Sequence, residues 1–447
     1  MCSTSLALLS IGYLFRAAVN APASFINDLA IKKRKRTVVA GLLGGVLLTV
    51  AAGPMWAQDP VPIAPEEMPR LDGSRAARKF SKTPSALATA PSDSAAPPVL
   101  PLWSYQIASP VNGFSYRGYM VGTNPFNRGA RTTTVPAILI PFIVEFQNTT
   151  TGFTAAFDPS AAPDTGCTAG QTVMNLVESS PIFQNYDWTF NGIYVGNTQY
   201  IDAFQRANFW QYVQNTGDAY HTLLSYTTGD PLMLTVSYPA ATLSGEVRTG
   251  VPGPCTNPGG SGSTNAASYQ GIVDMNTLQN AMTGYIAAHG ITPDQLPIFI
   301  LYNVMYSENN QTVYFGGYHF STVPYPQALT APGQTFILAN FRTNGTGPLD
   351  VSILSHEIAE WMNDPGGYNG APSWGHTGEV SGCQRDLEVG DPLTLTDLPT
   401  IPGLNGFAYH LQELAFFSWF FRTPSIGAGA VFSNNGTFAV DAGAVCQ

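Results

Sequence analysis

The chain has 447 residues, 44% of them apolar, with a mean hydropathy near zero, so a substantial core can form. Only 11% are charged and the net charge is -10. The last lysines are Lys79 and Lys82. Beyond them the scattered arginines exclude a nucleic-acid partner, because phosphate binding needs clustered Lys and Arg.

The first element is a targeting segment. The basic run Lys32 to Arg36 precedes an apolar run, Thr37 to Gly53, and then "PMWAQDP". That order describes a secretory leader, residues 1–57, cut after Ala57, and no membrane partner is expected after cleavage. The apolar run is short for a bilayer span of about 20 residues. Residues 58–101, rich in Pro, Ala and Ser, read as a linker or pro-segment. Four cysteines follow, Cys167, Cys255, Cys383 and Cys446. Export makes disulfides the expectation, and the spacing leaves all three pairings open. The expected location is secreted, or exported and retained at the cell envelope.

Residues 102–268 read as a β-rich part. "VPAILIPFIVEF" (Val135 to Phe146) is one long strand or a strand pair, with Pro141 at a break or an edge. A helix is expected within Tyr200 to Val213 and a strand at Pro231 to Ala240. The Gly/Pro/Ser loop from Thr249 to Ser268 is a surface excursion or a seam.

Residues 269–447 read as a second part. Asp274 to Gly290 has an Asp N-cap and a closing Gly, which predicts a helix. Strands are expected at Leu296 to Tyr306, Thr312 to Phe320 and Thr335 to Thr343. A helix capped by Asp350 and ended by Asp364-Pro365-Gly366 comes next, then an irregular segment, Asp364 to Asn405. A last helix is expected at Tyr409 to Phe421. The fold class is α+β: a β-rich N-terminal part, then a part in which the motif helix packs on a mixed sheet.

That helix carries "SHEIAEWMNDPGG", Ser355 to Gly367. With His356 at the origin, Glu360 falls at about 40° and Glu357 at about 100°. Val351, Leu354, Ile358, Trp361 and Met362 form an apolar stripe on the other side. His356 and Glu360 therefore lie one turn apart, as two ligands of one ion from one helix must. Ile353 on the polar side implies that this side is covered. The downstream segment Trp374 to Pro392 offers further ligands: Glu388 and Asp391 in "LEVGDP" lead, then His376 and Glu379, then His410 or Glu413. The plain alternative is an i,i+4 hydrogen-bonded pair with no metal.

His356-Glu357 on a helix after an edge-like strand resembles the zincin metallopeptidases, with Glu360 where their second histidine stands. "SHEIAEWMNDP" followed by "LEVGDP" also resembles the region around the HELAE-type motif of the phosphate-induced, Exordium-like secreted proteins, over Ile298 to Asp391. The zincin resemblance implies a zincin-like C-terminal part with His356 and Glu360 as ligands, Glu357 as base and Glu388 as third ligand. One divalent metal is expected, Zn²⁺ first, with Ca²⁺ or Mn²⁺ as alternatives. One histidine with two carboxylates lowers Lewis acidity and favours harder ions. The expected activity is hydrolysis of a peptide or protein substrate, with His376, His410 or Tyr409 assisting the oxyanion. The alternative is a non-catalytic binding protein with a structural ion or none.

Overall fold

The computed structural model describes residues 99–127, 131–161, 168, 170–238, 245–249, 269–307, 314–323, 333–344, 348–440 and 446. The expected leader, residues 58–98 of the expected linker, the loop beyond 249, and Cys2, Cys167 and Cys255 lie outside these residues.

The strands in chain order are β1 (Leu102–Ala108), β2 (Ser115–Val121), β3 (Thr132–Asn148), β4 (Thr154–Phe157), β5 (Tyr186–Phe190), β6 (Ile193–Thr198), β7 (His221–Thr228), β8 (Leu232–Tyr238), β9 (Gly245–Thr249) and β10 (Tyr269–Asp274), then β11 (Leu296–Tyr302), β12 (Val304–Ser307), β13 (Tyr314–Phe315), β14 (Gly317–Ser321), β15 (Thr335–Phe341), β16 (Gly370–Thr377), β17 (Val380–Asp386), β18 (Ile401–Pro402) and β19 (Ala408–Tyr409). The α-helices are α1 (Val173–Glu178), α2 (Tyr200–Asn208), α3 (Trp210–Val213), α4 (Met275–Ala288), α5 (Ser352–Asn363) and α6 (Phe417–Phe421).

The spine is β3, a single strand of 17 residues. Its first half pairs in parallel with β7 and β11, and its second half in parallel with β8 and antiparallel with β4. Val135, Ala137 and Leu139 are buried in the first half, whereas Phe142, Val144 and Phe146 are buried in the second. The strand thus changes its buried face, and Leu139 to Phe142 are covered on both sides. That is why the run is continuously apolar where an alternating pattern would be expected. Pro141 falls where the partner changes from β7 to β8, so its missing N–H lies at the break in the ladder.

Beyond β11 the sheet continues through parallel β15 to antiparallel β14 at its end. It is therefore mixed, and the architecture is α+β and strand-rich. Residues on either side of position 268 share this sheet, because β3 pairs directly with β11. The alternating strands feed two cores. Ile298, Ile300, Ile337 and Ala339 pack with residues of α2 and α5, while Phe299, Leu301, Phe336 and Leu338 pack with α4. The Asp274 side chain caps α4 by accepting from the N–H groups of Asn276 and Thr277. No helix among the described residues is long and apolar enough to cross a membrane.

Four local expectations need correction. The strand expected at Leu296 to Tyr306 is broken at Asn303, whose φ is 52°. Asp350 does not cap the motif helix from the N-cap position, which Val351 takes. Asp350 sits at φ 37° and its carboxylate accepts from the Val351 and His410 N–H groups. The segment expected to be irregular contains the β16–β17 hairpin. The last helix is only α6, and Tyr409 to Phe416 precede it in non-helical backbone. Leu411 to Phe416 are at most 1% exposed, so they have no wet face to make a helix amphipathic. Their backbone groups bond instead to Leu398, Thr396, Val389, Phe432 and Asn434.

Candidate metal centre

Every residue of α5 is buried. The helix lies against β14 and β15 on one side and α2 on another, so even its polar residues face protein. His356 Nε2 is 3.0 Å from Glu360 Oε2 and 3.5 Å from Asp391 Oδ1. The other ring nitrogen, Nδ1, is 3.0 Å from Gln412 Oε1. Gln412 Nε2 donates to Gly390 O at 2.6 Å, which orients the amide and places its oxygen at His356. Nδ1 therefore carries a proton, and Nε2 is left to face Glu360 and Asp391, through its own N–H or through an ion that replaces that proton. Gly390 permits this packing, since a Cβ there would fall 2.4 Å from His356 Nδ1.

The two acidic ligand candidates are also held from behind. Glu360 Oε1 accepts from the N–H groups of Gly390 and Asp391 at 3.1 and 3.3 Å, leaving Oε2 for His356. Asp391 Oδ2 accepts from Gln384 Nε2 at 2.7 Å, leaving Oδ1 for His356. Glu379 joins His356 and Asp391 in one group whose ligand atoms lie within 4.8 Å of one another.

The structure adds a residue the sequence did not suggest. His319 on β14 faces α5, with Nδ1 3.6 Å from Glu357 Oε2 and 3.7 Å from Glu360 Oε2. Its Nε2 lies 3.1 Å from Asp364 O and 3.9 Å from Glu388 Oε2. Nε2 donates to that carbonyl, so Nδ1 is the ring nitrogen left to face the two glutamates, through its N–H when the ring is protonated and through its lone pair when an ion replaces that proton. The signal was available in strand alternation: Tyr318 and Phe320 turn to the α4 core, so His319 must turn to α5.

Burial and like charge set the protonation of this cluster. Burial pushes the Glu357 carboxyl up. It pushes Glu388 well above the usual range, reinforced by Glu360, Asp364 and Asp391. Asp391 is likewise held well up by burial and by Glu379. Burial raises Asp364 to about 7. Burial would also raise Glu360, but the His356 ring outweighs it and holds Glu360 below its ordinary value. Burial alone would lower both histidines; the Glu360 carboxylate overrides this for His356, and Glu357 with Glu360 for His319. The ion pairs recorded for Glu357, Glu360, Glu388 and Asp391 among the described residues are all to histidine. Glu388 Oε2 is buried without a hydrogen-bond partner. This is a set of hard oxygen and imidazole donors with too little protein cation to balance it, and a divalent ion fits it.

Of the expected metal ligands, His356, Glu360 and Asp391 therefore converge, and Glu388 borders the same cluster from the His319 side. Glu357 is also within it. His376, His410 and Tyr409 are engaged elsewhere. His376 is exposed at φ 55°, with its Nε2 3.9 Å from Cys383 Sγ. Cys383 is disulfide-bonded to Cys446, so these sulfurs are not free thiolate ligands. His410 Nδ1 is 2.5 Å from Asp350 Oδ2. The Tyr409 hydroxyl donates to Leu176 O at 2.8 Å and accepts from Asn405 Nδ2. Glu413 accepts from Ser433 and Thr437 and serves as a structural anchor.

No family model, no curated protein and no solved structure matches the chain.

Proposed function

We propose that the protein is an exported, divalent-metal-dependent hydrolase acting on peptide bonds, with its ion held by His356 Nε2, Glu360 Oε2 and Asp391 Oδ1. One observation carries this reading: both groups that flank the His356 nitrogen are carboxylate oxygens fixed from behind, while Gln412 fixes the opposite side of the ring. Such outer contacts orient metal ligands. A divalent ion there would polarise a scissile carbonyl and acidify water. Glu357, the residue after the ligand histidine, stands ready to accept the proton, and its burial-raised pKa suits a general base better than an ordinary carboxylate would.

A second reading is favoured by the depth of the cluster. The side chains of His356, Glu357 and Glu360 are at most 10% exposed, which suits a structural ion as well as a catalytic one. Elemental analysis of the purified full chain beside His356→Ala and Glu357→Gln separates the readings. The hydrolase predicts bound metal that falls in His356→Ala, and a Glu357→Gln protein that keeps metal but loses peptide hydrolysis by at least about 100-fold. Hydrolysis unchanged in Glu357→Gln would remove its role as base; metal without any hydrolysis would favour the structural ion. No metal in any of the three proteins, even after incubation with Zn²⁺, Mn²⁺ and Ca²⁺, would overturn both.

A further inference from the structure

The first ion position leaves His319 and Glu357 unused, and Glu360 lies within reach of both. His319 Nδ1, Glu357 Oε2 and Glu360 Oε2 form a second set whose ligand atoms lie within 4.8 Å of one another, all from buried residues. Their separations are informative. His319 Nδ1 stands 3.6 and 3.7 Å from the two carboxylate oxygens, beyond hydrogen-bond length to either. Ligand atoms on one ion with bonds of about 2.0–2.2 Å stand roughly 3–3.5 Å apart. His319 Nδ1 thus faces both carboxylates at separations slightly longer than those between two ligand atoms of one ion.

A cluster of carboxylates alone would not specify an ion. Here the independent observation is the histidine. The His319 side chain is 6% exposed, its outer nitrogen is bonded to the Asp364 carbonyl, and its inner nitrogen is aimed at the two glutamates. Gly316 and Gly317 let the helix approach the strand this closely. A Cβ at Gly317 would fall 2.7 Å from Ile353 Cγ2 and 2.8 Å from Glu357 Oε1, and one at Gly316 would meet Ile353 Cδ1 at 2.3 Å.

We propose that the centre is binuclear: a second divalent cation is held by His319 Nδ1, Glu357 Oε2 and Glu360 Oε2, and Glu360 Oε2 is shared between the two positions. The proposal rests on the first ion position described above. The single shared oxygen follows from the geometry, because Glu360 Oε1 is occupied by the Gly390 and Asp391 N–H groups, and Oε2 is the atom that faces both histidines at 3.0 and 3.7 Å. A bridging carboxylate oxygen matches the ion spacing of about 3.5–4 Å found in two-metal hydrolytic centres. When the second position is filled, Glu357 is a ligand and no longer a free base. The two loading states therefore use the same residue differently.

The test is stoichiometry. Full-length protein stripped with chelator is titrated with Mn²⁺, bound metal is counted by elemental analysis, and the spin signal is followed. Two equivalents are expected, with the second giving an exchange-coupled Mn²⁺ signal. His319→Gln and Glu357→Gln should each bind one equivalent with an uncoupled signal, and thermal melts should show both variants folded. If one of them does not fold, the other decides the question. One equivalent in the wild type, unchanged in whichever variant folds, overturns the binuclear centre and leaves the mononuclear hydrolase standing. Two equivalents that both persist in a folded variant, or that never couple, also overturn it. Zero equivalents in the wild type would overturn the first reading and this one together.

Discussion

Gln412 shows how much of the candidate centre depends on a residue with no metal chemistry of its own. It accepts from His356 Nδ1, donates to Gly390 O, receives the Tyr200 hydroxyl on its backbone carbonyl, and donates its backbone N–H to Ser355. Gln412→Leu keeps the volume and removes the acceptor, so the His356 ring loses both its tautomer and its orientation. Divalent-ion affinity should fall by roughly 10–100-fold. Calorimetric titration checks this, and an unchanged affinity in a folded variant would show that the ring needs no such support. At this scale the sequence was legible where ligands share one helix. His356, Glu357 and Glu360 could be read from their spacing because a helix turns spacing into direction. Asp391 was within reach of the sequence reading because its segment follows the helix closely, whereas Glu388 only borders the cluster. His319 and Gln412 were not found: alternation gives the side to which His319 turns but not that β14 lies beside α5, and the buried crossing segment that carries Gln412 leaves no local pattern.

The start of the motif helix is secured by an element pair that sequence periodicity misassigned. Asp350 bridges Arg342 and holds His410 through both the N–H and the ring. This ties the end of β15, the first turn of α5 and β19 together. The expected last helix failed here for a physical reason: Tyr409 to Phe416 cross the interior, where apolar residues fall on every side and no period can be detected. β11 and β15 were readable as continuous apolar runs buried on both faces, and α4 by its Asp274 cap. The Asp350–His410 pair has a pH signature. The hydrogen bond from Asp350, working against burial, raises the His410 pKa above the ordinary 6.5. Burial raises Asp350 as well. Both groups therefore bind their proton more tightly when folded. Their stabilising contribution is complete below the unfolded pKa values and is lost as pH rises through the folded ones. The stability gap between the wild type and His410→Gln should be larger at a pH below the ordinary histidine value of 6.5 than at one well above it. Urea unfolding at the two pH values measures it. A gap that widens with alkalinity would contradict the assignment.

At the scale of the whole molecule, the centre joins segments that are distant in the chain. His319 comes from the edge strand, His356 and Glu360 from α5, and Asp391 from the loop after β17, while the sheet beneath is continuous from β4 to β14. An ion bound across these segments acts as a cross-link that exists only in the folded state. Its stabilisation follows mass action: about 2.7 kcal/mol when free ion is 100 times its dissociation constant. The charge argument gives the same sign. Without an ion, Asp391 is buried beside Glu379 and Glu360, and its charged form is disfavoured. An ion replaces the proton at this oxygen, so its binding weakens as the solution becomes acidic. Chelation should therefore lower the unfolding midpoint, and the difference between loaded and stripped protein should shrink toward low pH. The Cys383–Cys446 disulfide offers an internal contrast. It closes a separation of 63 residues, and its reduction should cost about 4 kcal/mol in the chain-entropy model regardless of metal. Denaturant unfolding of loaded, chelated and reduced protein separates the two contributions. If chelation leaves the midpoint unchanged at neutral pH while reduction lowers it, the buried carboxylates are balanced by protons alone, and the metal reading fails with them.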